Sequence, residues 1–334
     1  MYKLCISKKI FTINIISLIV TAIQYFVLLK ANYVSDLEVY SNHYAILSLD
    51  KFFSYKMNIG YSLFTLPFTF FIKDPLLYFS LMTGIFFNLF LRLINTYLLN
   101  IYIGIIVFMI SFYPLVLSNS LQRAKLSLIF VLFLLIKEKS IQSKKKIKKS
   151  GILTSLTSIL IHPTSILFFL PLFFSRLRLI LLEMKNIFIY GRIKNFIILF
   201  LFFAVPTFIA IINFILIKFL FYINYIDNSF YSLSSLMGSI LFSAIILYFA
   251  NDRLAYFFTL ITIISFGLII GWLGRLNIII YLFTNWSIIS STKISKKYKN
   301  IILLLFSMFL LFFKGFDYLN NLLNGCIMND SSYC

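Results

Sequence analysis

Acidic residues are scarce in this chain: 10 Asp and Glu stand against 30 Lys and Arg among 334 residues. Glycine is scarce as well, at 11, and the only cysteines are Cys5, Cys326 and Cys334. Those three lack the close spacing of a thiolate metal site. Cys326 and Cys334 could share an oxidising compartment and pair there. So few glycines, and no alternating ten-residue segments, exclude an outer-membrane barrel. No polar stretch is long enough for a soluble domain, and neither a flexible linker nor an internal repeat is evident.

What the chain does have is apolar mass. It is 61% hydrophobic and 19% aromatic, with 41 Phe, and its mean hydropathy is +0.97. No soluble protein of this size needs that much apolar surface, so its solvent is lipid. The apolar runs are continuous rather than alternating, which is the helical pattern. The expectation is an all-α, polytopic integral membrane protein: one transmembrane domain over 1–334, about 9–11 spanning helices, some of them short, re-entrant or broken. A net charge of +20 could suggest nucleic acid. Orientation in a membrane explains it better, as the order of the chain shows.

Lys3, Lys8 and Lys9 precede a first apolar run from Ile10 to Leu29. No small-residue cleavage site follows, so the run reads as a retained helix with the N-terminus in the cytoplasm. Residues 30–58 form the longest polar interval and belong outside. The next apolar run, 59–72, is too short to cross ~30 Å of hydrocarbon comfortably and reads as re-entrant or interfacial. Parity supports this. If 59–72 crossed, the lysine cluster at 137–149 would face outward, against the positive-inside rule. If it does not, 76–91 runs inward and 97–117 outward, and 124–136 descends to the lysine loop.

Between that loop and the next basic one (Arg176, Arg178, Lys185, Arg192, Lys194) lie only the apolar residues 150–174. Both flanks are cytoplasmic in this scheme, which requires a broken helix pair bending at His162-Pro163. Proline removes a donor and disfavours helix in the residue before it. Later spans are expected at 195–217, 232–250, 254–270, 278–291 and 301–313, leaving the tail from Lys314 outside. In this arrangement 21 of the 30 basic residues and only 3 of the 10 acidic ones face the cytoplasm. Orientation alone therefore accounts for the charge.

Few polar groups then remain for the outer face: Asp36, Glu38, His43, Asp50, Arg123, Lys125, His162, Asp227 and Arg275. Arg123, His162 and Arg275 sit at segment ends or breaks, where a wet crevice can form. Ionisable groups beside hydrocarbon are costly and read as functional by default. Guanidinium binds phosphate bidentately and does not lose its proton. An imidazole can take a proton from a reacting hydroxyl near neutral pH. Each has a plainer reading as well. Arg123 or Arg275 could be an interfacial anchor, and His162 could simply satisfy a helix break. Aromatic residues of the outer segment 218–231 (Tyr222, Tyr225, Phe230, Tyr231) offer faces to sugars, although an interfacial aromatic belt is the commoner cause.

The block from Ser118 to Leu170 has Gln122-Arg123 opening a helix, a lysine loop, and His162 followed by a small polar pair. In this it resembles the EpsG family of the Wzy-type bacterial polysaccharide polymerases. Gly60-Tyr61 resembles that family's Glu-Pro-Gly-Tyr/Phe region, with Asn58-Ile59 where the family has acid and proline. Leu273-Gly274-Arg275 with Tyr281 resembles its late Arg–Tyr element. The resemblance implies a GT-C-like architecture and a bacterial inner-membrane polymerase for O-antigen or capsule. Such an enzyme transfers the growing glycan from undecaprenyl pyrophosphate to an incoming lipid-linked repeat unit at the outer face. It implies no cofactor, a metal-independent reaction, a possible chain-length regulator as partner, and no nucleic acid.

On that reading Arg123 and Arg275 bind the pyrophosphate, and His162 is the candidate base with Asp36, Glu38 and Asp50 behind it. Gln122, Tyr61 and Tyr281 would face the glycan. The Asp36-Leu37-Glu38 triplet also resembles the acidic pair of lipid-dependent glycosyltransferases. A polyprenyl-phosphate-sugar transferase is therefore the first rival, and a lipid-linked oligosaccharide flippase the second.

Overall fold

In lipid every backbone N–H and C=O must find a partner within its own segment, so apolar runs of this length fold as helices. The computed structural model describes residues 8–30, 36–47, 59–119, 121–141, 149–171, 174–175, 233–270, 273–312, 316 and 320. Among the described residues there are twelve α-helices, one 3₁₀ helix and no strand. They fall into two compact units, Met1–Ile166 with Ser295–Cys334 and Leu167–Ile294.

The first unit begins with α1 (Lys8–Lys30) and α2 (Asp36–Ile46). Next come α3 (Ile59–Phe71) and α4 (Pro75–Thr96). α5 (Ile101–Ile110), α6 (Phe112–Asn119), α7 (Gln122–Ile141) and α8 (Lys149–Ile161) follow. α1 and α4 are each long and apolar enough to cross a membrane. At ~1.5 Å per residue both exceed the ~30 Å hydrocarbon thickness. α4 has a well-made start: Pro75 opens it, and the Asp74 carboxylate accepts from the Leu76 N–H at 2.8 Å. Proline suits the first turn because the donor it lacks would be unused there.

α1 and α4 meet along a polar seam. Asn88 Nδ2 donates to Asn14 Oδ1 at 3.0 Å and to Ser17 Oγ at 3.1 Å, and Arg92 Nη2 donates to Asn14 Oδ1 at 3.2 Å. Gly84 lets the helices close up, since a side chain there would strike the Thr21 hydroxyl. Small residues and amide bonds of this kind associate helices where lipid supplies no hydrophobic drive.

Residues 97–117, expected as one span, are two helices. α5 ends at Ser111, whose backbone is extended, and the axis turns by 71° into the α6 residues Tyr113–Asn119. Pro114 explains the break: it has no N–H to give to the Ile110 carbonyl, so α5 cannot run on. Counting the bent pair as one span brings the number of candidate spans among the described residues to three. α3 has 13 residues, short of a crossing, as expected.

The helix is interrupted at His162-Pro163, where a bend was anticipated. α8 stops at Ile161, His162 is non-helical, and Pro163–Phe169 continues as a 3₁₀ helix. The polar interval 30–58 differs from expectation by holding α2. In the second unit lie α9 (Leu233–Phe249), α10 (Arg253–Ile270) and α11 (Leu273–Ser290). α12 (Lys296–Leu310) returns to the first unit and packs on α5, where Asn300 Oδ1 accepts from the Asn100 N–H at 3.3 Å. The expected span 195–217, the outer loop 218–231, the three cysteines and Asp50 lie outside the described residues.

Candidate functional site

α2 is amphipathic at a spacing visible in its letters. Leu37, Tyr40, Tyr44 and Leu47 recur every three or four residues, and all are buried. Leu37, Tyr40 and Tyr44 join Tyr61 of α3, Tyr78, Phe79 and Met82 of α4, Leu126 of α7 and Ile161 of α8 in one core. The rings interlock: Tyr40 and Tyr61 stand 5.6 Å apart, and Tyr44 and Tyr78 4.8 Å. The Tyr44 hydroxyl donates to the Ile72 carbonyl at 2.8 Å. Burial and the nearby Asp74 charge push the Tyr44 phenol up to about 12.

Two polar contacts cross this aromatic wall. Arg123, in the first turn of α7, donates from Nε to the Tyr40 hydroxyl at 2.8 Å, and its guanidinium carbon stands 5.6 Å from the ring centre. His43, three residues after Tyr40, is fully buried, and its Nε2 lies 3.1 Å from Ser62 Oγ. Which of the two donates depends on the tautomer. The His43 ring also packs 5.9 Å from Tyr61. Burial first, and then the Arg123 charge, lower the pKa of His43 below the usual imidazole value.

His162, the other histidine of the chain, follows Ile161, which lies in the same core as Tyr40. His162 is half-buried at the end of α8, its N–H on the Ser158 carbonyl at 3.1 Å and its own carbonyl accepting from the Ser165 N–H at 2.9 Å. Gly60 brings α3 against this break. A Cβ there would run into the Leu160 carbonyl, so only glycine allows the approach. Arg123 makes no hydrogen bond through its Nη groups, and no ion pair, with any described residue.

Beside Arg123 is a group that the sequence showed only as one more polar residue. Lys125 is completely buried. Its Nζ donates to Thr83 Oγ1 at 2.7 Å, the Ser118 carbonyl at 3.0 Å and the Phe79 carbonyl at 3.1 Å. Three acceptors match the three N–H bonds of an ammonium. The tie fixes the first turn of α7 to α4 and α6, and so fixes where Arg123 leaves the helix.

The other expected site residues fall in several places. Gln122 is buried; it donates to the Asn119 carbonyl at 3.0 Å, and its Oε1 meets no described partner. Tyr61 is a core ring, 1% exposed, rather than a surface open to sugar. Glu38 is exposed, about 140° around α2 from His43. Asp36 opens α2, but its side chain, like that of Arg275, lies outside the described residues. Arg275 is in the first turn of α11 and Tyr281 is buried in the same helix, both in the second unit.

The arrangement brings together Arg123, His162, Tyr40, His43 and Ser62, of which the sequence marked the first two as a site. Tyr40 carried a signal in the α2 spacing and His43 as one of the few polar groups expected at the outer face; Ser62 carried none. Chemically the cluster offers a cation with donors to spare, flanked by imidazoles and phenols and facing no described carboxylate. That set suits a phosphate. A scan against protein-family models finds no match for this chain, and neither do searches of the curated proteins and of the solved structures.

Proposed function

We propose that the protein is a glycosyltransferase of the bacterial inner membrane that polymerises lipid-linked oligosaccharide repeat units. Its donor would be the growing glycan on undecaprenyl pyrophosphate, and its acceptor a hydroxyl of the next lipid-linked unit. The product would be an O-antigen or capsular polysaccharide. The observation that carries the reading is Arg123, a guanidinium with uncommitted Nη donors beside His43 and His162 in an all-helical, lipid-soluble chain.

The chemistry follows from the groups. As the glycosidic bond to the pyrophosphate breaks, negative charge grows on the leaving phosphate. Donors already fixed in place stabilise that charge more in the transition state than in the ground state. Arg123 meets this need without giving up a proton. The acceptor hydroxyl must lose its proton as it attacks the anomeric carbon, and His162, half-buried and near Arg123, is the candidate to take it.

In this reading the N-terminus is cytoplasmic, the chain crosses the membrane many times in a GT-C-like arrangement, and the site opens at the outer face.

Arg123→Ala should abolish long polysaccharide chains at the cell surface while the protein persists at its normal level. Arg123→Lys should do nearly as badly, because a point charge cannot replace a planar fork. Long chains in either variant, at normal protein levels, would remove the pyrophosphate role.

A further inference from the structure

An arginine can hold a phosphate side-on, through Nε and one Nη, or end-on, through both Nη groups. In this chain the side-on edge is occupied. The Nε–H of Arg123 donates to the Tyr40 hydroxyl at 2.8 Å. Tyr40 is itself held in place: it is 5% exposed, and its ring lies 5.6 Å from Tyr61, which is buried in turn. The helix that carries Tyr40 is tied down next to it by His43 on Ser62 at 3.1 Å, and further along by Tyr44 on the Ile72 carbonyl at 2.8 Å. At the other end, Lys125 fixes the turn of α7 from which Arg123 projects.

The guanidinium is therefore held at both its root and its Nε edge. Only the Nη edge carries no hydrogen bond to a described residue.

Resting on the pyrophosphate reading above, we infer that Tyr40 is a positioning residue: its hydroxyl occupies the Nε edge of Arg123 and obliges a phosphate of the lipid-linked donor to bind end-on across the two Nη groups. Tyr40 touches the arginine rather than the substrate. Its contribution is to remove the side-on alternative and to hold the plane of the fork, so that less freedom is lost when the phosphate arrives. α2, the helix of the outer interval, then acts as the wall that sets the orientation of the site.

The test uses the full-length protein in detergent, titrated calorimetrically with farnesyl pyrophosphate as a short polyprenyl pyrophosphate, with a melting curve recorded for every variant. Tyr40→Phe keeps the ring and loses only the hydroxyl. It should weaken binding about fivefold, in line with the cost of ordering a long side chain that is no longer held in advance. Its melting temperature should fall about as far as that of Tyr44→Phe, since each variant gives up one hydrogen bond of its hydroxyl. Tyr44→Phe removes a hydroxyl from the same helix that does not reach Arg123. It should lower the melting temperature and leave affinity within about twofold.

If Tyr40→Phe binds as tightly as the wild type, or Tyr44→Phe loses as much affinity as Tyr40→Phe, the positioning role is wrong and the pyrophosphate reading stands. If the wild type does not bind the probe, or Arg123→Ala binds it equally well, the pyrophosphate reading itself falls and takes this inference with it.

Discussion

His43 and Lys125 show how far a single buried group can shape this protein. His43 lies in α2, between α1 and α3, where burial and the Arg123 charge hold its pKa below the usual value. The unfolded chain binds that proton at ordinary imidazole pKa and the folded chain does not. Stability should therefore fall as pH drops below about 6.5 and level off once pH passes the lowered native pKa. His43→Gln keeps a polar atom near Ser62 and cannot titrate, so its melting temperature should vary less between pH 7 and pH 5 than that of the wild type. Equal slopes would place the acid sensitivity elsewhere.

Lys125 makes a different prediction. Lys125→Ala leaves a hole among packed helices and should cost about 3 kcal/mol in detergent unfolding. Lys125→Met nearly keeps the volume, and the single Thr83 hydroxyl proton lies within reach of both abandoned carbonyls, at 3.1 Å from Phe79 O and 3.3 Å from Ser118 O. It should lose less than half as much as Lys125→Ala. In the sequence Lys125 was one of nine polar candidates for the outer face. Three acceptors contributed by α4 and by the end of α6 made it an internal tie, and no local pattern announces acceptors so distant in the chain.

At the scale of helices, most of what formed was readable because apolar runs in lipid have a single backbone solution. The break at His162-Pro163 was legible for the same reason that proline breaks any helix. Pro114 carried an equal signal in the middle of 97–117, but a continuous apolar run concealed it. α2 was concealed by its polarity: Leu37, Tyr40, Tyr44 and Leu47 mark a helical face, yet the residues between them read as an outer loop. The contact of α3 with α8 turns on Gly60, and a methyl there meets backbone that has nowhere to go. Gly60→Ala should push α3 off the Leu160 carbonyl and cost about 1–3 kcal/mol in thermal unfolding. A variant as stable as the wild type would mean that the two helices do not approach so closely.

For the whole molecule, the helical character of the apolar runs was legible and the pairing of helices was not. Lipid-facing surfaces are chemically alike, so nothing in an apolar run says which neighbour it will meet; α1 finds α4 through Asn14, Ser17 and Asn88 instead. An alkaline-phosphatase fusion within the lysine-rich loop 137–149 should be inactive, reporting a cytoplasmic position. An active fusion would reverse the parity of every later segment. The Lys125 tie also bears on how the chain is made. A lysine in the first turn of a helix costs less than the ~2.5–3.5 kcal/mol it would cost at the bilayer centre, yet once buried it still needs acceptors. The three it finds belong to α4 and to the last turn of α6, all synthesised earlier. α7 thus packs into place at low cost only when α4 is already waiting beside it. Biogenesis of this half of the protein is a collective step, and a ribosome stalled before residue 118 would leave α4 without the partner for which its carbonyls are placed.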